Sequence, residues 1–370
     1  MGFDARSASV AAAAVAAVAS AAALGYLVGL RVRGQKAANR AQPWVCGVLG
    51  GLGPKATALF YDENVIKARV QLFNAMKAGQ ESVEAMFAEV AAASTALWTK
   101  EQVAAVWAAR VGQEKVRDQD HVACLMYTNP TIPGRPEFMS GQSDVDPTED
   151  MARSAQALVN GGASALCIVC STAHQFKSGM LAKLSPKVPF LDMLDLTYDY
   201  IIRTVEGMES SSGSAPKKIR VGLMGTGPLL KFRIYEEAFA RRAKAKHQRE
   251  LEVLTPLNTA NGEQNNFTEA IFGQHGIKAG YDSDLTCEHT FRNFELLLTE
   301  VLKLHFAGAE AIVLGCTELP LLLTKENIAR YAERLPDSNE YNKSDATKLV
   351  LVNPAQVLGD EIIRKSLVCR

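Results

Sequence analysis

Short apolar runs without polar alternation recur along this chain, and most end in a turn rich in glycine or hydroxyl residues. Runs of this kind suit strands buried on both faces of a parallel sheet. In order they are Val45–Leu49, His121–Tyr127, the run between Gly162 and Cys170, Val188–Asp195, Val221–Met224, Leu251–Thr255, the run between Gly308 and Cys316, and Leu349–Val352. Helical spacing intervenes: after Thr57 through Tyr61 and Val65, over Glu149–Asn160, around Tyr235, around Ala270–Gly280, from about Asn293, and after Pro354. Strands alternating with helices predict an α/β fold.

One pattern occurs twice. The stretch from Gly162 through Cys167, Ile168, Val169, Cys170, Ser171 and Thr172 is echoed from Gly308 through Ile312, Val313, Leu314, Gly315, Cys316 and Thr317. Glycine, apolar run, cysteine and hydroxyl residue keep one register. A second echo precedes each copy: Val45–Gly51 and Val221–Thr226 both read as a buried strand entering a glycine-rich turn. The chain thus reads as two related α/β halves, each bringing one cysteine to the carboxyl end of a strand, where open α/β sheets place ligands. Ser171, Thr172 and Thr317 are candidate caps for helices starting just beyond, whose dipoles favour a thiolate.

Boundaries follow from composition. Residues 1–43 are a hydrophobic segment and linker, 44–208 the first lobe with a helical insertion at about 70–116 and completed by 348–370, 209–218 a Ser/Gly/Pro/Lys linker, and 219–347 the second lobe. The uncharged run Ala8–Leu30, followed by Arg31, Arg33, Lys36 and Arg40, would span roughly 34 Å as a helix. An uncleaved membrane anchor is the favoured reading, with the catalytic region on the cytosolic side; a cleaved organelle-targeting peptide and a soluble tail are the alternatives. Lys and Arg total 40 and Asp and Glu total 40, a neutral balance that argues against nucleic acid as partner. The seven cysteines are scattered and odd in number, which points to a reduced compartment and not a disulfide framework.

The Gly50–Thr57 turn opens a helix and offers backbone N–H groups to an anion, but it fits neither the dinucleotide nor the P-loop pattern. Three prolines between Asn129 and Pro136 predict an extended loop carrying Arg135, placed to bind a carboxylate by its fork. Cys167 and Cys170 point to opposite faces if they lie on one strand, so a redox or metal pair is not expected there, and no metal site is predicted.

On these residues, the chain from about 44 to 366 resembles the aspartate/glutamate racemase superfamily, and within it the aspartate type. Gly50–Thr57 is similar to the Gly-Gly-Met-Gly-Pro-x-Ala-Thr motif, with Leu52 for Met, and Asn129–Arg135 to Asn-Pro-x-Ile-Pro-Asp-Arg, with Gly134 for Asp. Val169–His174 is similar to Pro-Cys-Asn-Thr-Ala-His, and Gly315–Leu319 to Gly-Cys-Thr-Glu-Leu, where glutamate racemases carry His after the Thr; Ile277–Gly280 matches as well.

The resemblance implies two similar three-layer α/β lobes with parallel sheets related by a pseudo-two-fold, and an active site in the cleft between them. It implies a racemase that needs no cofactor, acting most readily on aspartate, with Cys170 and Cys316 on opposite sides of the substrate Cα. Arg135 and Lys278 would take the substrate carboxylates. Thr57, Asn129, Ser171, Thr172, Thr226 and Thr317 would line the binding site, and His174 and Glu318 would tune the thiols. The expected partners are a small acidic amino acid and a second copy in a homodimer. Ser171 stands where the family usually has Asn, and Leu229 and Phe232 stand for Thr and Ser. These departures spare the pair but bear on the substrate, so glutamate, another acidic compound, or an inactive tethered binder of acidic amino acids are the alternative readings.

Overall fold

In the computed structural model, which describes residues 43–50, 54–77, 116–209, 218–256, 265–332 and 349–368, the buried runs form two four-stranded parallel sheets. The first lobe contains β1 (Val45–Leu49), α1 (Pro54–Leu59), a wide π-type turn (Phe60–Lys67), α2 (Ala68–Lys77) and β2 (Ala123–Tyr127). There follow α3 (Arg135–Met139), α4 (Thr148–Asn160), β3 (Ala165–Ile168), α5 (Lys177–Ala182), β4 (Phe190–Leu191) and α6 (Met193–Glu209). The second lobe contains β5 (Ile219–Met224), α7 (Gly227–Lys231), α8 (Ile234–Lys246), β6 (Leu251–Leu254), α9 (Asn265–Phe272) and α10 (Glu288–Phe306). It continues through β7 (Ala311–Leu314), α11 (Lys325–Ala332) and β8 (Leu351–Val352), and α12 (Pro354–Val368) ends the chain's regular structure.

The sequence repeat is a topological repeat. The sheets run β2-β1-β3-β4 and β6-β5-β7-β8, the same order with every pair parallel. In each, the chain steps from the first strand to one side and then back across to the other, so β1/β3 and β5/β7 are the switch points whose carboxyl ends leave a crevice. The glycines that open both copies, Gly162 and Gly308, hold φ of +95° and +94°, the left-handed turn that a side chain disfavours.

Alternate residues of the second sheet feed different cores. Ile219, Val221, Leu223, Ala311 and Val313 join a cluster continuous with the first lobe, whereas Met224, Ile312 and Leu314 pack under α9, α10 and α11. The period of two divides each strand between the faces, and a fully buried Leu or Ile contributes about 1.5–3 kcal/mol. Helices α6 and α8 join the lobes through Tyr198, Phe239 and Tyr235, with ring centroids 5.9 and 5.5 Å apart. Around these rings Arg242 grips Asp199 with both arms of its fork (3.0 and 2.6 Å), Lys246 adds 3.0 Å to the same carboxylate, and Arg241 meets Asp195 at 2.7 Å.

Several expectations need correction. Composition places 348–370 with the first lobe, but β8 pairs with β7 in the second sheet, and only the helix after it, α12, packs back on α6 and the π-type turn. The strand expected at Val188–Asp195 is two residues long, because Asp192 accepts the N–H groups of Leu194 and Asp195 and starts α6. Helix α10 starts at Glu288, ahead of Asn293. Ser171, Thr172 and Thr317 cap no helix by side chain: short 3₁₀ turns, Thr172–Phe176 and Leu319–Leu321, follow the cysteines. The run Ala8–Leu30, residues 78–115 of the expected insertion and most of the 209–218 linker lie outside the described residues. Among the described residues, no helix is long and apolar enough to cross a membrane.

Candidate active site

Both cysteines follow their strands by two residues, at the carboxyl ends of β3 and β7, the switch-point strands. Each is half-buried. Their surroundings are opposite in charge.

At the first thiol, the Arg135 guanidinium donates to Cys170 Sγ at 3.3 Å and the Thr172 hydroxyl lies 3.3 Å away. Burial pushes the Cys170 thiol up, but the Arg135 charge, both hydrogen bonds and the Ala173 N–H outweigh it, so its pKa falls below the ordinary thiol value. Arg135 is not on an extended loop as the prolines predicted. It opens α3, is buried, and spends one nitrogen on the thiol; among the described residues its Nε has no hydrogen-bond partner.

At the second thiol, Cys316 Sγ donates to Glu318 Oε2 at 3.0 Å, and Thr317 Oγ1 donates to the same oxygen at 3.0 Å. Burial, then the Glu318 charge, then that hydrogen bond raise the Cys316 pKa well above the ordinary value. Lys278 opposes this from 3.4 Å on the other Glu318 oxygen, its ammonium lying 4.8 Å from the Phe272 ring centre. One thiol is thereby biased to thiolate and the other kept protonated.

The lobes meet between these groups. Tyr235 of α8 is fully buried, its hydroxyl 3.0 Å from Ser171 Oγ, and both thiols as well as Asp192 add to the burial that raises its pKa. Behind Cys170, His174 Nδ1 donates to the Cys170 carbonyl at 2.9 Å, which fixes a proton on that nitrogen. Its Nε2 faces Asp192 Oδ1 at 3.6 Å. Burial lowers the His174 pKa despite that carboxylate. Burial opposes charge on Asp192 too, yet His174, the Lys177 ion pair and the Asp195 N–H hold its carboxyl below the usual range.

The remaining expected residues divide. Thr57 is buried, its hydroxyl without a hydrogen-bond partner among the described residues, and Gly50 is small enough to admit it: a Cβ there would lie 2.3 Å from Thr57 Oγ1. Thr226 Oγ1 accepts the Leu229 N–H at 3.4 Å and so caps α7. Asn129 donates to Ser154 of α4 and accepts from Thr131 N–H and Oγ1 in its own loop, which leaves its amide no free oxygen to aim at a ligand. Tyr235 and Asp192 are the groups that sequence reasoning missed; an aromatic in a helical pattern and an acid in a run read as a strand gave no signal of their contacts. Among the described residues no cluster of three or more His, Cys, Asp or Glu side chains could hold a metal.

Adjacent positive and negative fields on two thiols suit removal of a proton on one side of a carbon acid and delivery on the other. A model of the Asp/Glu/hydantoin racemase family matches residues 79–336. Among solved structures, the aspartate racemase of Picrophilus torridus shares the fold, with a TM-score of 0.52 at 17% identity over 87% of this chain and 94% of that one. An aspartate racemase homologue from Pyrococcus horikoshii gives 0.49 at 15% identity over 87% and 98%. A glutamate racemase from Bacillus anthracis gives 0.42 at 14% identity over 86% and 79%.

Proposed function

Because this chain belongs to the Asp/Glu/hydantoin racemase family, and so to the isomerases, we propose that it interconverts L- and D-aspartate without a cofactor, with Cys170 and Cys316 as the two bases. The observation that carries this reading is the opposed setting of two thiols at equivalent strand ends, a guanidinium 3.3 Å from Cys170 and a carboxylate 3.0 Å from Cys316. Inversion through a planar carbanion needs one thiolate to remove the α-proton and one thiol to supply a proton to the other face. On this reading Cys170, whose pKa Arg135 lowers, is the base and Cys316, whose proton Glu318 accepts in a hydrogen bond, is the acid. The two exchange roles for the opposite enantiomer.

An α-proton beside an ionised carboxylate is weakly acidic, so developing charge must meet fixed cations. Arg135 has guanidinium N–H groups left beyond the one on Cys170, and Lys278 shares its charge with Glu318. Together they supply a cation for each end of a dicarboxylic amino acid. Thr57 and Ser171 offer hydroxyls, the latter oriented by Tyr235.

The test is incubation of the protein with L-aspartate and with L-glutamate in D2O without added cofactor, following the α-proton by NMR and chirality by chiral chromatography. Deuterium incorporation with racemisation of aspartate is expected. Exchange with retention would leave a one-sided enzyme, and faster turnover of glutamate would move the substrate assignment. Alanine turning over as fast as aspartate would refute the two-cation reading.

A further inference from the structure

The segment carrying Lys278 leaves α9 at Phe272 and crosses to α10 by way of the 3₁₀ turn Ile277–Ala279. Both of its ends are tied to one side chain. Asn293, buried in α10, donates one amide hydrogen to the His275 carbonyl (2.8 Å) and the other to the Tyr281 carbonyl (3.3 Å). One turn earlier on that helix, His289 stacks on the His275 ring, centroids 4.0 Å apart and planes within 10° of parallel. Tyr281 stands edge-on to both rings at 5.2 Å. Residues four apart share a helix face, so His289 and Asn293 hold the two ends of the loop from a single surface.

Inside this clamp the loop is tightly wound. Ala279 N–H bonds to Gly276 O and Gly280 N–H to Ile277 O, both at 3.0 Å, while Gly280 turns back at φ +102° and Ile277 is buried as an anchor. Lys278 projects from the tip, 44% of its side chain exposed, to reach Glu318 and the Phe272 ring. A long flexible side chain is placed only as well as the backbone that carries it.

We infer that Asn293, supported by His289, is a positioning residue that fixes the Lys278 ammonium and thereby sets how well the site recognises the second carboxylate of its substrate. The inference rests on the racemase reading proposed above. Asn is required because its amide provides two donors from one nitrogen. Aspartate in its place would supply none and would face two carbonyl oxygens; leucine would fill the space but leave both carbonyls unpaired.

The test is a double-mutant cycle. Asn293→Leu should raise KM for aspartate by about tenfold, the loss of two modest hydrogen bonds, with kcat within about twofold. His289→Ala, the milder variant, should move KM in the same direction and retain a wild-type circular dichroism spectrum. In a Lys278→Ala background Asn293→Leu should have no further effect. An equal loss in both backgrounds would mark Asn293 as merely structural and overturn the inference. A second readout needs no turnover: after reductive ¹³C-methylation of lysines, the Lys278 resonance, assigned by its absence from Lys278→Ala, should respond to Glu318→Gln in the wild-type background and lose that response in Asn293→Leu. If that response is lost but no acidic amino acid is racemised, the functional reading falls and the positioning role stands. If aspartate is racemised and Asn293→Leu changes neither KM nor the resonance, the positioning role is wrong.

Discussion

Replacing Glu318 by Gln tests the protonation logic most directly. The carboxylate lies 3.0 Å from Cys316 Sγ. Two unit charges at that separation in an effective dielectric of about 20 interact by about 5 kcal/mol. Lys278, 3.4 Å from the other carboxylate oxygen, opposes this in part. Burial comes first and the Glu318 charge second in holding the Cys316 pKa well above the ordinary thiol value. The sign is fixed: Glu318 disfavours the Cys316 thiolate, so Gln lets the thiol ionise at lower pH. On the two-base reading, turnover needs one proton on the pair of thiols, not two and not none. The kcat/KM profile is therefore a bell whose limbs belong to the pair. Because the equilibrium constant of a racemisation is one, that profile is the same in both directions. In Glu318→Gln the alkaline limb should move toward acid, by more than the acid limb moves. The assay is initial-rate circular dichroism across pH with either enantiomer. An alkaline limb unmoved by the substitution would refute the assignment of Cys316 as the thiol that Glu318 keeps protonated.

Cys170→Ser and Cys316→Ser should each abolish racemisation and retain at most α-proton exchange with one enantiomer, the two variants preferring opposite ones in a D2O experiment. Arg135→Lys keeps the charge but loses the fork shared between the thiol and a carboxylate, and should lower kcat/KM by about 100-fold in steady-state assays, the value of a charged hydrogen bond or two. Burial opposes ionisation of Asp199, but its bonds to Arg242 and Lys246 prevail and depress its pKa, so that ion pair adds stability above the unfolded carboxyl pKa and loses it as pH falls through the folded one. Arg242→Met should accordingly lower stability by on the order of 1 kcal/mol at neutral pH in urea titrations, a gap that closes in acid. The uncharged run Ala8–Leu30 should keep the full chain with membranes through a carbonate wash, and deletion of residues 1–40 should release it; recovery of a mature protein beginning near Ala41 would instead mark a cleaved peptide.

The local pattern of the chain determined the strands, their buried character, the two-fold repetition and the arrival of Cys170 and Cys316 at strand ends. Those properties live in a few adjacent residues: a strand buried on both faces must be a continuous apolar run, and the residues that follow it stand at the carboxyl edge of the sheet. Tertiary structure alone decided what surrounds the thiols. Arg135 comes to Cys170 across 35 residues and Tyr235 to Ser171 across 64, and no periodicity encodes such meetings. The same limit explains the errors. Val188–Asp195 reads as a strand until Asp192 is seen starting a helix, and Leu349–Val352 carries no mark of which sheet will accept its edge. Glu318 lies two residues from Cys316 and could be noticed in the sequence; that its carboxylate would favour the protonated thiol, while Arg135 draws the other thiol toward thiolate, depends on burial and distance, which exist only once each lobe has folded.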